Sequence, residues 1–393
     1  MKQKNILLIA ITAIITTIIL IVSYFVVIPT FFSNKPQPEN TITNTVDIIK
    51  ERVKKSQSLE LNKIDQNNIR LKENYNKNKE KFSQILQNSK QEKNAKTSIV
   101  AIFDTGIDGT HEELKDSVIY EDCFSSDNSE FQSLCSSKKL GQNNNEELTS
   151  SSPCYIPEDI SSSCNHGTKV ASLLAGKYSL TPNTKLISFK IYSLRKSDSL
   201  IFIQEQDFQK ALIKLNQIAK SDLGNNIAIQ ALNLSWNTGE KFSKDCNQNY
   251  QEIYKQIEEL RLNKVTTFVS AGNDGYKDQV TYPACLSNVI NIGSLDNGEG
   301  DTNKGDISDF SNYNNTTKFA NGRYITTAFA QKQEDNNQKN KDTTSLEAGT
   351  SFATPLVTSL YTSCLEKLEK NNLNNQSEEC LNIIFVNKKL VLN

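Results

Sequence analysis

Hydrophobic residues along the chain follow two patterns, short continuous apolar runs and longer stretches with apolar residues at helical spacing. A continuous run closed by a turn is typical of a buried strand in a parallel sheet, whereas a helical repeat is typical of a helix packed on one face. Strands are predicted near 99–103, 185–192, 229–235, 265–270 and 289–294, and helices near 166–176, 205–220, 248–262 and 352–368. This alternation predicts an α/β domain of three layers with a mostly parallel central sheet.

The first 33 residues have a different pattern. Lys2 and Lys4 precede a run from Asn5 to Asn34 that contains no charged residue, and its apolar part, Ile6–Ile28, is long enough to span a bilayer. We interpret residues 1–33 as a cytoplasmic N-terminus and a transmembrane signal anchor, with the rest of the chain outside, because lysines favour the cytoplasmic side. The alternative is a cleaved signal peptide, but its apolar core would be shorter and no small-x-small cleavage pattern follows the run.

Residues 34–95 form a polar segment between this run and the predicted domain. The segment contains no glycine and no cysteine, is rich in Lys, Asn, Gln and Glu, and carries apolar residues at helical intervals, such as Ile42, Val46, Ile49 and Val53. This pattern predicts a helical stalk. The alternative is a prosegment that assists folding and is then removed, although the composition does not resemble a compact α+β prodomain.

Three motifs place small polar or titratable side chains at the ends of predicted elements. An apolar run at 99–103 leads into Asp104, which places a carboxylate at the end of a buried strand. His166, one of two histidines in the chain, begins a predicted helix. Ser351 lies at the start of another helix, with Pro355 in its first turn, where unpaired N–H groups favour a developing anion. Each motif alone also fits a turn, a surface histidine or an ordinary capped helix.

In the chain order Asp104, His166, Ser351, these motifs resemble the subtilisin-like serine proteases, or subtilases. The resemblance covers about residues 97–370 and is strengthened by further segments, which are Leu232-Asn233-Leu234-Ser235, Ser270-Ala271-Gly272-Asn273-Asp274, Tyr282-Pro283-Ala284, Val289-Ile290-Asn291-Ile292-Gly293-Ser294 and Asp309-Phe310-Ser311. It implies a subtilisin-like peptidase domain at 96–393.

The resemblance also implies a role for each site residue. Ser351 would be the nucleophile, His166 the general base and Asp104 the group that orients the imidazole. Asn273 would stabilise the oxyanion together with the Ser351 backbone N–H. The substrate would bind as an extended strand beside the segment that contains Leu234, Ser235 and Trp236.

Two positions depart from the subtilase pattern. Lys169 stands where the family often has a second histidine, and Asn237 stands where a glycine is usual. The second change puts the shape of the substrate cleft in doubt. Trp236, the only tryptophan, either lines a subsite or packs beneath the cleft.

All eight cysteines lie in the predicted peptidase domain, which predicts disulfides in an oxidising compartment. Four of them fall between the Asp and His motifs and indicate a stapled surface insertion at about 119–164; these are Cys123, Cys135, Cys154 and Cys164. Cys246 is expected to pair with Cys285, and Cys364 with Cys380. Reduced thiols in a cytoplasmic protein are the alternative, which the anchor disfavours.

Charge and metal ligands add little. A formal net charge of −1 over 393 residues gives no support for nucleic-acid binding. Asp108, Glu112 and Glu113 offer hard oxygen atoms for calcium, but no loop has diagnostic spacing, so solvated acids and no metal or cofactor are expected. A polar stretch at 331–344 is predicted to be a loop.

Together these features predict a membrane-anchored, extracytoplasmic serine endopeptidase that cleaves proteins or peptides through an acyl-enzyme. A catalytically inactive protease-like binding protein is the alternative. An esterase of the α/β-hydrolase type is disfavoured, because Ser351 lacks the Gly-x-Ser-x-Gly elbow and comes last of the three residues.

Overall fold

The computed structural model describes residues 98–135, 164–181, 183–220, 228–328, 344–368, 376–386 and 388–390. The predicted anchor at 1–33, the predicted stalk at 34–95, residues 136–163 of the predicted insertion and most of the predicted loop at 331–344 lie outside these residues. In the described part of the chain, no helix combines the length and apolar character needed to cross a bilayer.

The described residues form short strands and five α-helices. In chain order the strands are β1 (Ile99–Asp104), β2 (Val118–Cys123), β3 (Phe131–Ser133), β4 (Lys185–Lys190), β5 (Tyr192–Arg195), β6 (Ile201–Ile203), β7 (Ile229–Leu234), β8 (Lys241–Phe242), β9 (Thr266–Ser270), β10 (Val280–Thr281), β11 (Ile290–Leu295), β12 (Lys318–Asn321), β13 (Ile325–Ala328), β14 (Thr344–Glu347), β15 (Phe385–Val386) and β16 (Lys389–Leu390). The helices are α1 (His166–Ala175), α2 (Glu205–Lys220), α3 (Gln251–Leu262), α4 (Thr350–Leu368) and α5 (Gln376–Ile384).

Nine of these strands form a central sheet in the order β15-β16-β12-β11-β9-β7-β1-β4-β2. Every neighbouring pair is parallel except β15 with β16. The predicted mostly parallel sheet is therefore confirmed. The five strands predicted from apolar runs are five consecutive neighbours in its middle, β11, β9, β7, β1 and β4.

Strand β1 lies inside the sheet and is buried along its whole length. Because side chains alternate between the two faces of a strand, Val100 and Ile102 face one layer of helices and Phe103 faces the other. The Phe103 ring stacks on Phe189 at 5.0 Å and meets Phe208 of α2 edge-on at 6.3 Å. An apolar sequence on both faces is what a central parallel strand requires.

Helices cover both faces of the sheet, which confirms the three-layer arrangement. Helices α1 and α4 pack against each other on one face, and α2 and α3 pack against each other on the other. Val170 and Leu174 of α1 share one buried cluster with Val357 and Leu360 of α4. The carboxyl end of β1 and the first turns of α1 and α4 are the elements that carry the three predicted catalytic residues.

Helix α4 is buried although it is rich in hydroxyl side chains. Thr354, Thr358 and Thr362 each donate a hydrogen bond to a backbone carbonyl one turn earlier, at 2.8 to 3.0 Å, so these hydroxyls are satisfied within the helix. The helix begins at Thr350, two residues before its predicted start. The sequence pattern predicted Pro355 in the first turn of this helix, but in the structure it is the sixth residue and lies beyond that turn.

Three disulfides are described, and they join Cys123 to Cys135, Cys246 to Cys285 and Cys364 to Cys380. The last two pairs were expected and are confirmed. Cys164 is also disulfide-bonded, and the described residues contain no free cysteine. The start of the predicted insertion, residues 119–123, belongs instead to the edge strand β2, so the sheet extends to Cys123 before the chain leaves it.

Candidate active site

Asp104 ends β1 at the carboxyl edge of the central sheet and is 1% exposed. Its Oδ1 accepts a hydrogen bond from the backbone N–H of Thr105 at 2.7 Å and lies 2.8 Å from His166 Nδ1. Its Oδ2 lies 3.0 Å from the same nitrogen. An ionised carboxylate only accepts, so His166 Nδ1 carries the proton and Nε2 is left available on the other side of the ring.

The Asp and His motifs are joined by hydrogen bonds that involve two threonines. The Thr105 hydroxyl donates to the Cys164 carbonyl at 3.1 Å and accepts from the Gly167 N–H at 3.0 Å. The Thr168 hydroxyl accepts from the Asp108 N–H at 2.9 Å. Segments 62 residues apart therefore form one hydrogen-bonded unit. Sequence reasoning did not assign either threonine a role, although Thr105 directly follows Asp104 and Thr168 lies two residues after His166.

Gly167 follows the histidine because α1 approaches the turn after β1 very closely. A Cβ atom at this position would lie 2.3 Å from the Gly106 carbonyl oxygen and 3.2 Å from Asp104 Cβ. Both distances are too short without a shift of the backbone or of Asp104. The glycine thus allows the carboxylate and the imidazole to meet.

The charges around His166 raise its pKa above the ordinary value for histidine. Burial, the largest single influence, lowers the pKa, but the charge of Asp104 and its hydrogen bond raise it, and the net shift is upward. Lys169 lowers this pKa and Glu347 raises it, each by a smaller amount than Asp104. The imidazolium form that arises when His166 accepts a proton is therefore stabilised mainly by Asp104.

Ser351 is the second residue of α4 and is 7% exposed. Phe352, the next residue, has its ring centroid 5.8 Å from that of His166. This contact brings the start of α4 next to the imidazole. Among the described residues no hydrogen bond joins the Ser351 hydroxyl to His166, and in enzymes of this kind such bonds often tighten only when substrate binds.

Asn273 lies in the turn after β9, and its side chain is exposed and oriented by α4. Its Oδ1 accepts hydrogen bonds from the backbone N–H of Thr350 at 2.8 Å and from the Thr350 hydroxyl at 2.9 Å. Nδ2 makes no hydrogen bond within the described residues. The carbonyl oxygen is thus fixed while the amide N–H groups remain able to donate to a ligand beside Ser351.

Asn312 supports this turn from below, and sequence reasoning did not assign it a role. It is fully buried, and its Oδ1 accepts from the backbone N–H groups of Asp274 at 3.0 Å and Tyr276 at 2.9 Å. The backbone N–H of Asn312 donates to the Gly272 carbonyl at 2.9 Å. The signal in the sequence was its position directly after the quoted Asp309-Phe310-Ser311 segment.

The predicted substrate-binding residues form the end of β7 and the residues after it. The side chains of Leu234, Ser235 and Trp236 are all buried. The indole of Trp236 packs edge-on against Phe208 at 4.9 Å. The structure favours packing beneath the surface over a subsite for this side chain, and the Trp236 carbonyl accepts a hydrogen bond from the Ser270 hydroxyl at 3.3 Å.

The acids considered for calcium are not all solvated. Asp108 is buried, and its Oδ1 accepts from both the N–H and the hydroxyl of Thr110. The Glu113 side chain, 8% exposed, lies 3.5 Å from Lys177 Nζ. The expectation of solvated acids is therefore wrong for these two and holds only for the exposed Glu112, because the turn after β1 packs against the end of α1.

Three solved structures are similar in fold to this chain. A mutant of the protease domain of PatA has 20% identity and a TM-score of 0.51, covering 76% of this chain and 93% of that one. A protease from Pseudoalteromonas arctica has 19% identity, a TM-score of 0.50 and coverage of 74% and 83%. Sphericase has 18% identity, a TM-score of 0.50 and coverage of 72% and 81%. Comparison with curated proteins gives no match.

A family profile extends the similarity from the fold to the sequence. The profile of the subtilase family matches residues 95–384, which is most of the chain and includes the Asp, His and Ser motifs. The described sheet, the helices on its two faces and the joined motifs at its carboxyl edge agree with this match. The chain therefore belongs to the subtilase family and is a serine-type, subtilisin-like endopeptidase.

Proposed function

We propose that this endopeptidase uses Asp104, His166 and Ser351 as its catalytic triad and cleaves peptide bonds through an acyl-enzyme at Ser351. The observation that carries the proposal is the pairing of Asp104 with His166 Nδ1 at 2.8 Å beside the helix start that bears Ser351. A buried carboxylate held against one ring nitrogen leaves the other nitrogen free to act as a base.

The proposed reaction moves one proton through His166. Nε2 accepts the proton of the Ser351 hydroxyl as Oγ attacks the scissile carbonyl, and it returns the proton to the leaving amine. Water then attacks the acyl-enzyme by the same route in reverse. Asp104 holds the Nδ1 proton throughout and stabilises the imidazolium without being protonated itself.

We also propose that Asn273 and the Ser351 backbone N–H stabilise the oxyanion. Asn273 Oδ1 accepts from Thr350, and its Nδ2 has no partner among the described residues. The Ser351 N–H belongs to the first turn of α4, where backbone donors have no helical partner. Both donors gain their full partner only when charge develops on the carbonyl oxygen, which is what lowers the barrier.

A substrate chain would lie extended beside Ser235 and Trp236, which follow β7, because the backbone of Leu232 and Asn233 is already paired with β1 on one side and β9 on the other. Main-chain hydrogen bonding to an extended peptide would require no particular side chain at Leu234, Ser235 and Trp236, which are all buried. Protein or peptide substrates follow from the family.

A fluorophosphonate probe tests the triad without knowledge of the substrate, because it labels only an activated serine. We expect labelling of the full chain, and we expect Ser351→Ala to abolish it. Ser359→Ala is the matched control, since Ser359 lies on the same helix and its hydroxyl only donates to the Leu356 carbonyl. Absence of labelling in a folded, processed wild-type sample would favour an inactive binding protein instead.

For location we propose a single-pass membrane protein with its N-terminus inside and the catalytic domain outside the cytoplasm. The uncharged run at 5–34 supports the anchor. Disulfide bonding of every described cysteine supports an oxidising compartment.

Two measurements test this location. The full-length protein should stay in the membrane fraction after carbonate washing, and protease added from outside should reach the catalytic domain. A soluble protein whose mature N-terminus follows the apolar run would show the anchor to be wrong. Thiol counting in denaturant without reductant should find few free thiols, and eight free thiols would contradict the extracytoplasmic location.

A further inference from the structure

One face of α1 carries three polar residues at intervals of three, namely His166, Lys169 and Ser172. Residues three apart lie on the same face of a helix. The Ser172 hydroxyl accepts a hydrogen bond from the Ala328 N–H at 3.0 Å, at the end of β13. Lys169 Nζ lies 2.6 Å from Glu347 Oε1, at the end of β14. This face of α1 is therefore tied at two points to the hairpin formed by β13 and β14.

The Lys169–Glu347 ion pair is largely removed from water. The Lys169 side chain is 3% exposed and that of Glu347 is 19% exposed. A buried ion pair contributes little net stability, because desolvation offsets the attraction between the charges, but it holds its two elements in one arrangement. Its presence next to His166 thus points to a role in position rather than in stability.

The two partners belong to the two segments that must meet for reaction. Lys169 lies one turn after His166 in α1. Glu347 ends β14, and only Ala348 and Gly349 separate it from α4, whose second residue is Ser351. The ion pair therefore links the helix that carries the base directly to the strand that leads to the nucleophile.

The pair also controls the charge near the imidazole. Among the described residues, the charged groups that act on His166 are Asp104 from β1, Lys169 from its own helix and Glu347 from β14. Lys169 lowers the pKa of His166 and Glu347 raises it, so their effects oppose each other. With both present, Asp104 makes the largest upward contribution to the pKa of the imidazole.

We propose that the Lys169–Glu347 ion pair is a positioning element of the reaction, which fixes the His166 helix against the strand leading to Ser351 without adding net charge beside the imidazole. This inference rests on the proposed triad. It assigns a purpose to the position where subtilases often carry a second histidine. Lys169 and Glu347 act through His166 and the Ser351 turn and do not themselves react.

The test is the pH dependence of fluorophosphonate labelling of the full chain. His166 must be neutral to act as a base, so labelling is lost as pH falls through its pKa. Lys169→Met leaves Glu347 alone and should move this acid midpoint to higher pH. Glu347→Gln removes the negative charge opposite Lys169 and should move the midpoint to lower pH. Each shift should be about half a pH unit or more.

The double variant separates charge from position. Lys169→Met with Glu347→Gln removes both opposing charges, so its acid midpoint should return towards the wild-type value. Its maximal labelling rate should still fall, by about tenfold, because the link between the two segments is lost. A double variant with a wild-type rate would overturn the positioning role.

Lys177→Met is the matched control, since Lys177 follows the other end of α1 and pairs with Glu113 rather than with a group near His166. It should leave the acid midpoint unchanged. Shifts of both single variants in the same direction, or no shift in either, would overturn the inference while wild-type labelling leaves the proposed triad intact. A wild type without labelling would instead overturn the triad itself.

If a single variant does not fold, Lys169→Arg and Glu347→Asp keep the charges and change only the length of the link. They should retain the acid midpoint and lower the maximal rate. A shifted midpoint in these variants would contradict the proposal.

Discussion

The two halves of the candidate site are built differently. In the Asp–His half, formed by Asp104 and His166, the carboxylate is 1% exposed and is held by the Thr105 N–H and by the imidazole. In the Ser–Asn half, formed by Ser351 and Asn273, the asparagine is exposed and only its oxygen is held, by Thr350. Both carboxylate oxygens of the first half are hydrogen-bonded, whereas the amide N–H groups of the second half have no partner among the described residues.

The difference follows from when charge appears in each half. Asp104 carries its charge permanently, so it must be paired and hydrogen-bonded in the resting protein. The oxyanion exists only during reaction, and a donor that is satisfied in the resting protein would have nothing to add in the transition state. We expect variants of the two halves to differ accordingly in rate and in pH dependence.

Asp104→Asn should have the largest effect and should break the Asp–His half. Turnover should fall about 10⁴-fold, the size known for the equivalent change in a serine protease with this triad, because the amide favours the wrong imidazole tautomer. The pKa of His166 should also fall, since Asp104 supplies the main upward influences, so the acid limb of kcat/KM should move to lower pH.

Asp108→Asn is the control for this change. Asp108 belongs to the same motif and is buried, but its carboxylate accepts from Thr110 and not from His166. The pH dependence of kcat/KM for Asp108→Asn should match that of the wild type. An unchanged profile in Asp104→Asn would contradict the assignment of Asp104 as the partner of the base.

Asn273→Ala should have the next largest effect and should break the Ser–Asn half. The expected loss is about 10²–10³-fold in kcat with little change in KM, the range found for an oxyanion-hole donor in subtilisin, a relative. The acid limb should stay in place, in contrast to Asp104→Asn. A raised KM with unchanged kcat would show that Asn273 binds the ground state instead.

Thr350→Val should have a smaller effect within the same half. It removes one of the two hydrogen bonds to Asn273 Oδ1 and keeps the backbone bond, so kcat should fall by roughly 2- to 10-fold. Thr350→Ser keeps the hydroxyl and should retain most of the activity. Equal kcat values for the valine and serine variants would show that the hydroxyl does not orient Asn273.

Trp236→Phe should have the smallest effect on turnover, because the indole packs on Phe208 below the surface. Thermal unfolding should show a loss of about 1–2 kcal/mol from the smaller side chain. Both kcat and KM should stay within about twofold of the wild type if recognition uses the backbone. A KM that rises severalfold at unchanged stability would place the indole in a subsite.

The sequence predicted the middle of the sheet well and its edges poorly. Strands buried on both faces, such as β1, have continuous apolar sequences, which can be recognised without knowing the neighbouring strands. The edge strand β2 contains Glu121 and Asp122 and is only partly buried, so its sequence resembles a surface segment. Strands such as β12 and β16 were missed for the same reason, since they are short and partly polar.

At the site, the sequence pointed to the proposed catalytic residues but not to the residues that hold them. Asp104, His166, Ser351 and Asn273 stand in motifs whose order is informative. Asn312 acts on a turn 36 residues before it, and Glu347 meets Lys169 from a distant strand. Such contacts depend on how the chain folds back and leave no periodic or compositional signal.

Gly167 has a consequence for how the chain would respond to substitution. It has no reactive group, but any side chain here would collide with the Gly106 carbonyl and push α1 away from β1. A mutational scan scored only by activity would therefore rank Gly167 beside Asp104 and His166. The activity that remains after substitution of Gly167 would therefore measure how closely the start of α1 must approach the turn after β1 for the site to form.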